Sequence, residues 1–218
     1  AFDEQTVFRV LAGSGQRTAN IFAERQSLFA TSRSFELLGN QSNLPYGLEP
    51  ERALNVGFNL TRNFQLDYRD GYVSLDFYRT EFLQQAVFDL DASPHEVLFY
   101  KLEGKSYSNS AQIEVNYELI KFVNMRLAYR WLEVRTEFKS GLRQKPLTAK
   151  HRLFANLSYE TQQSLKNKNW MFDLTAKWIG EQRIPTTVGN PIDDQRSTTS
   201  PSFMLFNAQV THNVNKKW

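Results

Sequence analysis

Residues 106–138 read SYSNSAQIEVNYELIKFVNMRLAYRWLEVRTEF. Every second residue from Ala111 is apolar or aromatic: Ala111, Ile113, Val115, Tyr117, Leu119. Gln112, Glu114, Asn116 and Glu118 stand between them. A period of two marks a β-strand with one greasy and one polar face. After a break at residues 121–124 the pattern resumes, with Met125, Leu127, Tyr129 and Trp131 on one face and Arg126, Ala128 and Arg130 on the other. The stretch predicts a long antiparallel hairpin with a single apolar face.

The same unit recurs along the chain. Residues 4–12 alternate, and Gly13-Ser14-Gly15-Gln16-Arg17 is read as the break that ends them. Residues 18–50 form a long irregular connection, with room for a helical turn or two within residues 21–38. Leu54, Val56, Phe58 and Leu60 mark the next strand, and Asp70-Gly71 is the strongest signal for the turn that follows. Strands are further expected over residues 73–88, 97–119, 153–159, 172–178 and 204–211. About eight strands result. One unbroken strand over residues 97–119 would span roughly 70 Å, well beyond a globular strand.

The connections alternate in length. Short turns near 62–70, 119–124 and 161–169 exchange with longer loops near 13–50, 89–96, 139–148 and 184–202. Short turns at one end and long loops at the other are the layout of an outer-membrane barrel. On that reading the row Ile113, Val115, Tyr117, Met125, Leu127, Tyr129 faces lipid. The row Gln112, Glu114, Asn116, Arg126, Arg130 lines the lumen. A soluble β-sandwich or lectin-like binding module shares the alternation but does not require the exchange of loop lengths.

The bulk composition agrees. The 218 residues are 41% hydrophobic and 14% aromatic, and mean hydropathy is −0.51. No run approaches the ~18 apolar residues of a membrane helix. The net charge of +3 is interspersed and shows no nucleic-acid footprint. With no cysteine, thiol catalysis and disulfide scaffolds are out. His95, His151 and His212 lack ligand spacing. Asp89 and Asp91, and Asp193 and Asp194, are read as solvated loop charges rather than calcium ligands. Gly13-x-Gly15 lacks the third glycine of a dinucleotide loop, and no serine sits in a nucleophile elbow. The sequence points to no enzyme and no cofactor. Ligand-binding candidates lie in the long loops: Arg17, Phe22, Phe29 and Tyr46. Arg17 is also a candidate for closing the base of the 13–50 loop through backbone carbonyls.

Several stretches resemble one family in the right order. LAGSGQRTANIFAER (residues 11–25) resembles the Gly-x-Gly-x-Arg rise into an extracellular loop of TonB-dependent outer-membrane receptors. GLEPERALNVGFNL (47–60), RDGYVSLDFYRTEFLQQ (69–85), GKSYSNSAQIEVNYEL (104–119) and KHRLFANLSYE (150–160) are similar to the strands and hairpins that follow. The resemblance implies an all-β antiparallel transmembrane barrel segment, about eight strands of a 22-stranded wall. It implies that residues 1–218 are one partial barrel domain, without the plug and the final strands. The implied setting is the bacterial outer membrane. The implied partners are membrane lipid, a small nutrient ligand (metal chelate, cobalamin or glycan) and TonB acting through a region N-terminal to this one. A passive porin is the remaining alternative.

Overall fold

The computed structural model describes residues 4–24, 26, 30, 32–39, 43–162 and 169–214. In chain order the strands are β1 (Thr6–Arg17), β2 (Ser34–Leu37), β3 (Glu51–Leu66), β4 (Arg69–Gln84), β5 (Ala86–Asp89), β6 (Glu96–Lys101), β7 (Ser106–Ile120), β8 (Val123–Phe138), β9 (Gly141–Gln144), β10 (His151–Glu160), β11 (Asn169–Ile179), β12 (Gln182–Arg183), β13 (Thr199–Ser200) and β14 (Phe203–Asn213). Eight of them form one antiparallel sheet in the order β1-β3-β4-β7-β8-β10-β11-β14, with β9 added to β8. Each strand neighbours the next long strand in sequence, as a barrel wall requires.

Three expectations are corrected. β1 runs on through Gly13 and Gly15, because Asn55 and Ala53 of β3 lie opposite and complete the ladder. The first short turn is Asp67-Tyr68, ahead of Asp70-Gly71. Both residues have left-handed backbones (φ 52° and 60°) between the paired Leu66 and Arg69, the geometry that matches the twist of flanking strands. The 97–119 stretch is two strands. Residues 102–105 break it, and the Lys105 amide donates to the Glu137 carboxylate at 2.8 Å. β6 leaves the wall and pairs with β5 and, in parallel, with β2.

The register decides the faces. Val73, Val115 and Leu127 share one row, as do Leu75, Ile113 and Tyr129. This outer face is apolar and uncovered: Leu153, Leu174 and Phe206 remain 48%, 54% and 67% exposed. No second sheet packs on it among the described residues, so the sandwich alternative has no partner layer.

The upper edge of the apolar band also moves across the register. On β3 its last member is Leu54, in the row of Glu81 and Tyr107. On β11 it is Trp178, in the row of Leu153, Tyr129 and Ile113. The edge therefore slides by the distance from Tyr107 to Ile113, about 20 Å, over five strand spacings, about 24 Å. A band that is level in a membrane then needs strands tilted by about 40°, within the range of closed barrels. Polar and charged residues crowd just beyond the edge, where Arg79 pairs with Glu81 and Arg135 with Glu133.

Aromatic residues mark the two ends of the band. At the short-turn end Tyr159 and Trp170 flank Phe172, and Phe64 stacks on Tyr117 across Gly71. A Cβ on Gly71 would enter the Phe64 ring. At the long-loop end Tyr129 stacks on His151 and bonds to its Nδ1 at 2.8 Å.

The inner face is a hydrogen-bonded polar wall. Arg126 grips Glu114 through Nε and Nη2 at 3.0 and 2.9 Å, and the Tyr72 hydroxyl donates to Glu114 at 2.7 Å. Asn59 donates to Asp76 at 2.8 Å and Ser74 at 3.0 Å, while accepting from Arg9. These contacts cross between neighbouring strands and fix the register on the side where apolar packing does not.

Candidate functional site

The loops at the long-loop end fold into a cap, and most of the buried apolar residues are there. Ile21, Val97 and Phe99 form one cluster, against Tyr46, Phe88 and Leu90. Ala19, Leu48 and Ala86 form a second. Val87, Leu98, Tyr100, Leu102 and Phe138 form a third, seated on Phe82 at the top of the inner wall. The β2-β6-β5 sheet carries much of this core. The 18–50 loop closes on itself where Gly39 meets Gly47: a Cβ on Gly39 would collide with the Tyr46 carbonyl and the Gly47 backbone, and Gly47 itself has φ +69°.

A buried polar clasp ties three loops together. Arg183 donates to both Asp91 oxygens, at 2.9 and 2.8 Å, and its Nε donates to the Gln144 carbonyl at 2.6 Å. The Thr186 amide donates to Asp91 at 2.8 Å. The Asp91 side chain is fully buried. Burial alone raises a carboxyl pKa, but Arg183 and the Thr186 amide prevail and hold Asp91 below the ordinary range. Beside it the Tyr100 hydroxyl donates to Asp89 at 2.9 Å, while Asp89 accepts the amides of Asp91 and Ala92. Burial, with Asp89 next, pushes the Tyr100 phenol well above its usual range.

The expectation that Asp89 and Asp91 are solvated charges is thus overturned. Both are buried, because Arg183 and Tyr100 bring them the donors that a buried carboxylate needs. Asp193 and Asp194 do lie exposed, in the short helical turn Ile192–Asp194. Among the described residues no three acidic, histidine or cysteine side chains gather as a metal site would.

Of the four loop candidates, Arg17 ends β1 and binds two carboxylates, Glu51 at 2.6 Å and Glu24 at 2.9 Å. It closes the loop base through side chains rather than backbone carbonyls. Glu51 also accepts the Ala86 amide at 3.1 Å, so this contact joins the 18–50 and 85–105 loops. Tyr46 packs on two of the core clusters, and its hydroxyl reaches Asn20 at 3.4 Å. Phe22 lies in the helical turn Ile21–Glu24, and Phe29 is outside the described residues. Arg17 and Tyr46 therefore build the cap. The sequence signal that was missed is the pair Asp91 and Arg183, separated by 92 positions, which no local pattern links.

The chain thus combines a polar inner wall, an apolar outer band and a folded cap above both. The model of the TonB dependent receptor-like β-barrel matches residues 2–218. The chain belongs to that family. A solved chain in the structure of the FpvAI–pyocin S2 complex superposes with a TM-score of 0.58 at 14% identity, covering 96% of this chain and 26% of that one. The likeness carries the fold, and the chain spans about a quarter of that neighbour's length. No curated protein sequence matches the chain.

Proposed function

We propose that this chain is part of the barrel wall, with its extracellular cap, of a bacterial outer-membrane receptor that takes up a scarce nutrient. The observation that carries it is the diagonal apolar band on an uncovered antiparallel wall, whose tilt suits a membrane barrel. Family membership supports TonB as the source of energy, acting through a domain outside these residues. Cargo of the metal-chelate, cobalamin or glycan class would meet the cap first and then the polar inner wall. Transport of this kind is binding and conformational change, with no covalent step.

Uptake measurements test the proposal. A strain relying on the intact protein is given labelled iron chelate, cobalamin or oligosaccharide, with TonB present or deleted. Uptake of one cargo that stops without TonB is expected. Uptake that persists without TonB would favour a passive porin, and absence of the protein from outer-membrane fractions would sink the membrane reading itself.

A further inference from the structure

The inner wall carries three neighbouring cations that nothing neutralises. Gln112, Arg130, Arg152 and Ile179 stand side by side in one row. Lys177 lies opposite Phe154, one step lower on the same face. The row is one residue above Ile113, Tyr129, Leu153 and Trp178, the upper edge of the outer apolar band. Arg130, Arg152 and Lys177 are all exposed, and with Gln112 and Phe154 they line one shallow concavity. Among the described residues none of the three has a carboxylate within 4.0 Å. Arg126 on the same strand as Arg130 shows the contrast, since Glu114 holds it through two bonds.

The arrangement costs the sheet something. Arg130 faces Arg152 directly across β8 and β10, and like charges so placed weaken a strand pair. Conflicts of this kind persist where function needs them. The three cations sit on three successive strands, about 4.8 Å apart from one strand to the next, an interval close to the length of one sugar unit. A chain of uronic acids presents one carboxylate per unit, a ring face that suits Phe154 and hydroxyls that suit the Gln112 amide. A compact chelate calls for groups that converge around it, whereas these cations are spread across neighbouring strands on an open surface.

We infer that this part of the lumen wall binds an acidic oligosaccharide of the uronic acid class. The inference rests on the receptor proposal and narrows its cargo to a charged glycan. Arg130 and Arg152 each grip a carboxylate through the planar guanidinium fork, and Lys177 holds a third as a point charge. An uncharged glycan would leave all three cations unmatched.

The intact protein, purified in mild detergent and shown to keep its folded mobility on gels, is titrated by calorimetry with tetragalacturonate, with its fully methyl-esterified form and with ferric citrate. Tetragalacturonate is expected to bind at least tenfold more tightly than either of the others. Arg130→Gln and Arg152→Gln are each expected to weaken it about fivefold, the upper end for an exposed charge pair, and the double variant more than tenfold. Lys121→Gln, in the short turn between β7 and β8, is expected to change nothing. Equal binding of the methyl ester, tighter binding of ferric citrate, an undiminished double variant or an equal loss with Lys121→Gln overturns the site. All these substitutions are at exposed positions, and folded mobility on gels checks each variant. If tetragalacturonate fails to bind while another cargo is taken up with TonB and not without it, this inference falls and the receptor proposal stands. Absence of the protein from outer-membrane fractions would count against the receptor proposal itself.

Discussion

The outer face of the wall and the cap above it treat apolar side chains in opposite ways. On the wall Leu174 is 54% exposed, while in the cap Val97 is fully buried. Leucine and valine differ little in chemistry, so the difference lies in the solvent. A wall residue meets hydrocarbon lipid, so its apolar side chain is already satisfied and needs no partner within the protein. A cap residue meets water and must find a core. The wall's specificity therefore sits in its backbone ladder and inner polar pairs. The cap's sits in tertiary contacts between loops far apart in sequence.

The comparison breaks most sharply at the clasp. Removing one partner of a buried ion pair strands the other charge and typically costs about 3–5 kcal/mol. Arg183→Met leaves the Asp91 carboxylate buried without its cation. Protease cleavage within residues 85–105 and 180–202 is expected to rise many-fold, while the wall keeps its resistance to unfolding on gels. If both regions loosen together, wall and cap are a single cooperative unit and the division fails. The double variant Arg183→Met with Asp91→Leu should recover most of the loss, since two apolar groups leave no stranded charge.

The wall is next. Val115→Lys puts a charge into the row of Val73 and Leu127. Near the middle of a bilayer this costs roughly 2–4 kcal/mol, and outer-membrane yield should fall. Gln112→Lys, three residues earlier on the same strand and on the inner face, should assemble normally. Normal assembly of the first variant and loss of the second would mean that the faces are reversed.

Much of the wall was legible in the sequence, and the cap was not. The alternation in residues 106–138 located β7, β8 and the turn between them, because a period of two is a local signal. The lipid and lumen rows followed from it and match the register. Gly13 and Gly15 misled, since a glycine weakens a strand in isolation yet is carried when a neighbour completes the ladder, as β3 does. Asp67-Tyr68 was hidden because tyrosine is not a residue expected with positive φ. In the cap the decisive pairs are Asp91 with Arg183 and Glu51 with Arg17, 92 and 34 positions apart. One sequence offers no means of pairing them. Arg17 was still recognisable as a closing residue from its place after a strand, though not the carboxylates it closes on.

Proton titration separates the regions more gently. Asp91 has a lowered pKa in the folded cap, so its contribution is present above the unfolded value, near 3.8, and is lost as pH falls through the lower folded value. Tyr100 has a raised pKa, so its contribution is complete below the unfolded value of 10.0 and is lost as pH rises above it. Cap protection measured by limited proteolysis or hydrogen exchange should be flat from about pH 5 to 9 and decline outside that window. The outer-facing residues Val73, Val115, Leu127 and Ala155, which stand side by side and carry no ionisable group, should show no matching decline. In an Asp91→Leu, Arg183→Met background the acid limb should vanish and the alkaline limb remain.

Arg17 should give the smallest effect. Its side chain is 59% exposed although it holds two carboxylates. Solvent screens such pairs, and exposed ones contribute about 0–1 kcal/mol. Arg17→Met is therefore expected to leave wall assembly and overall cap protection close to unchanged. Glu51 behaves differently: its side chain is only 14% exposed, and it also accepts the Ala86 amide that anchors the 85–105 loop. Glu51→Ala removes this acceptor as well as the Arg17 contact, so exchange at the Ala86 amide should speed up more than in Arg17→Met. If Arg17→Met frees the Ala86 amide as much as Glu51→Ala does, the arginine is what holds Glu51 in place. The boundary between wall and cap would then be set by that ion pair rather than by the carboxylate's bond to the backbone.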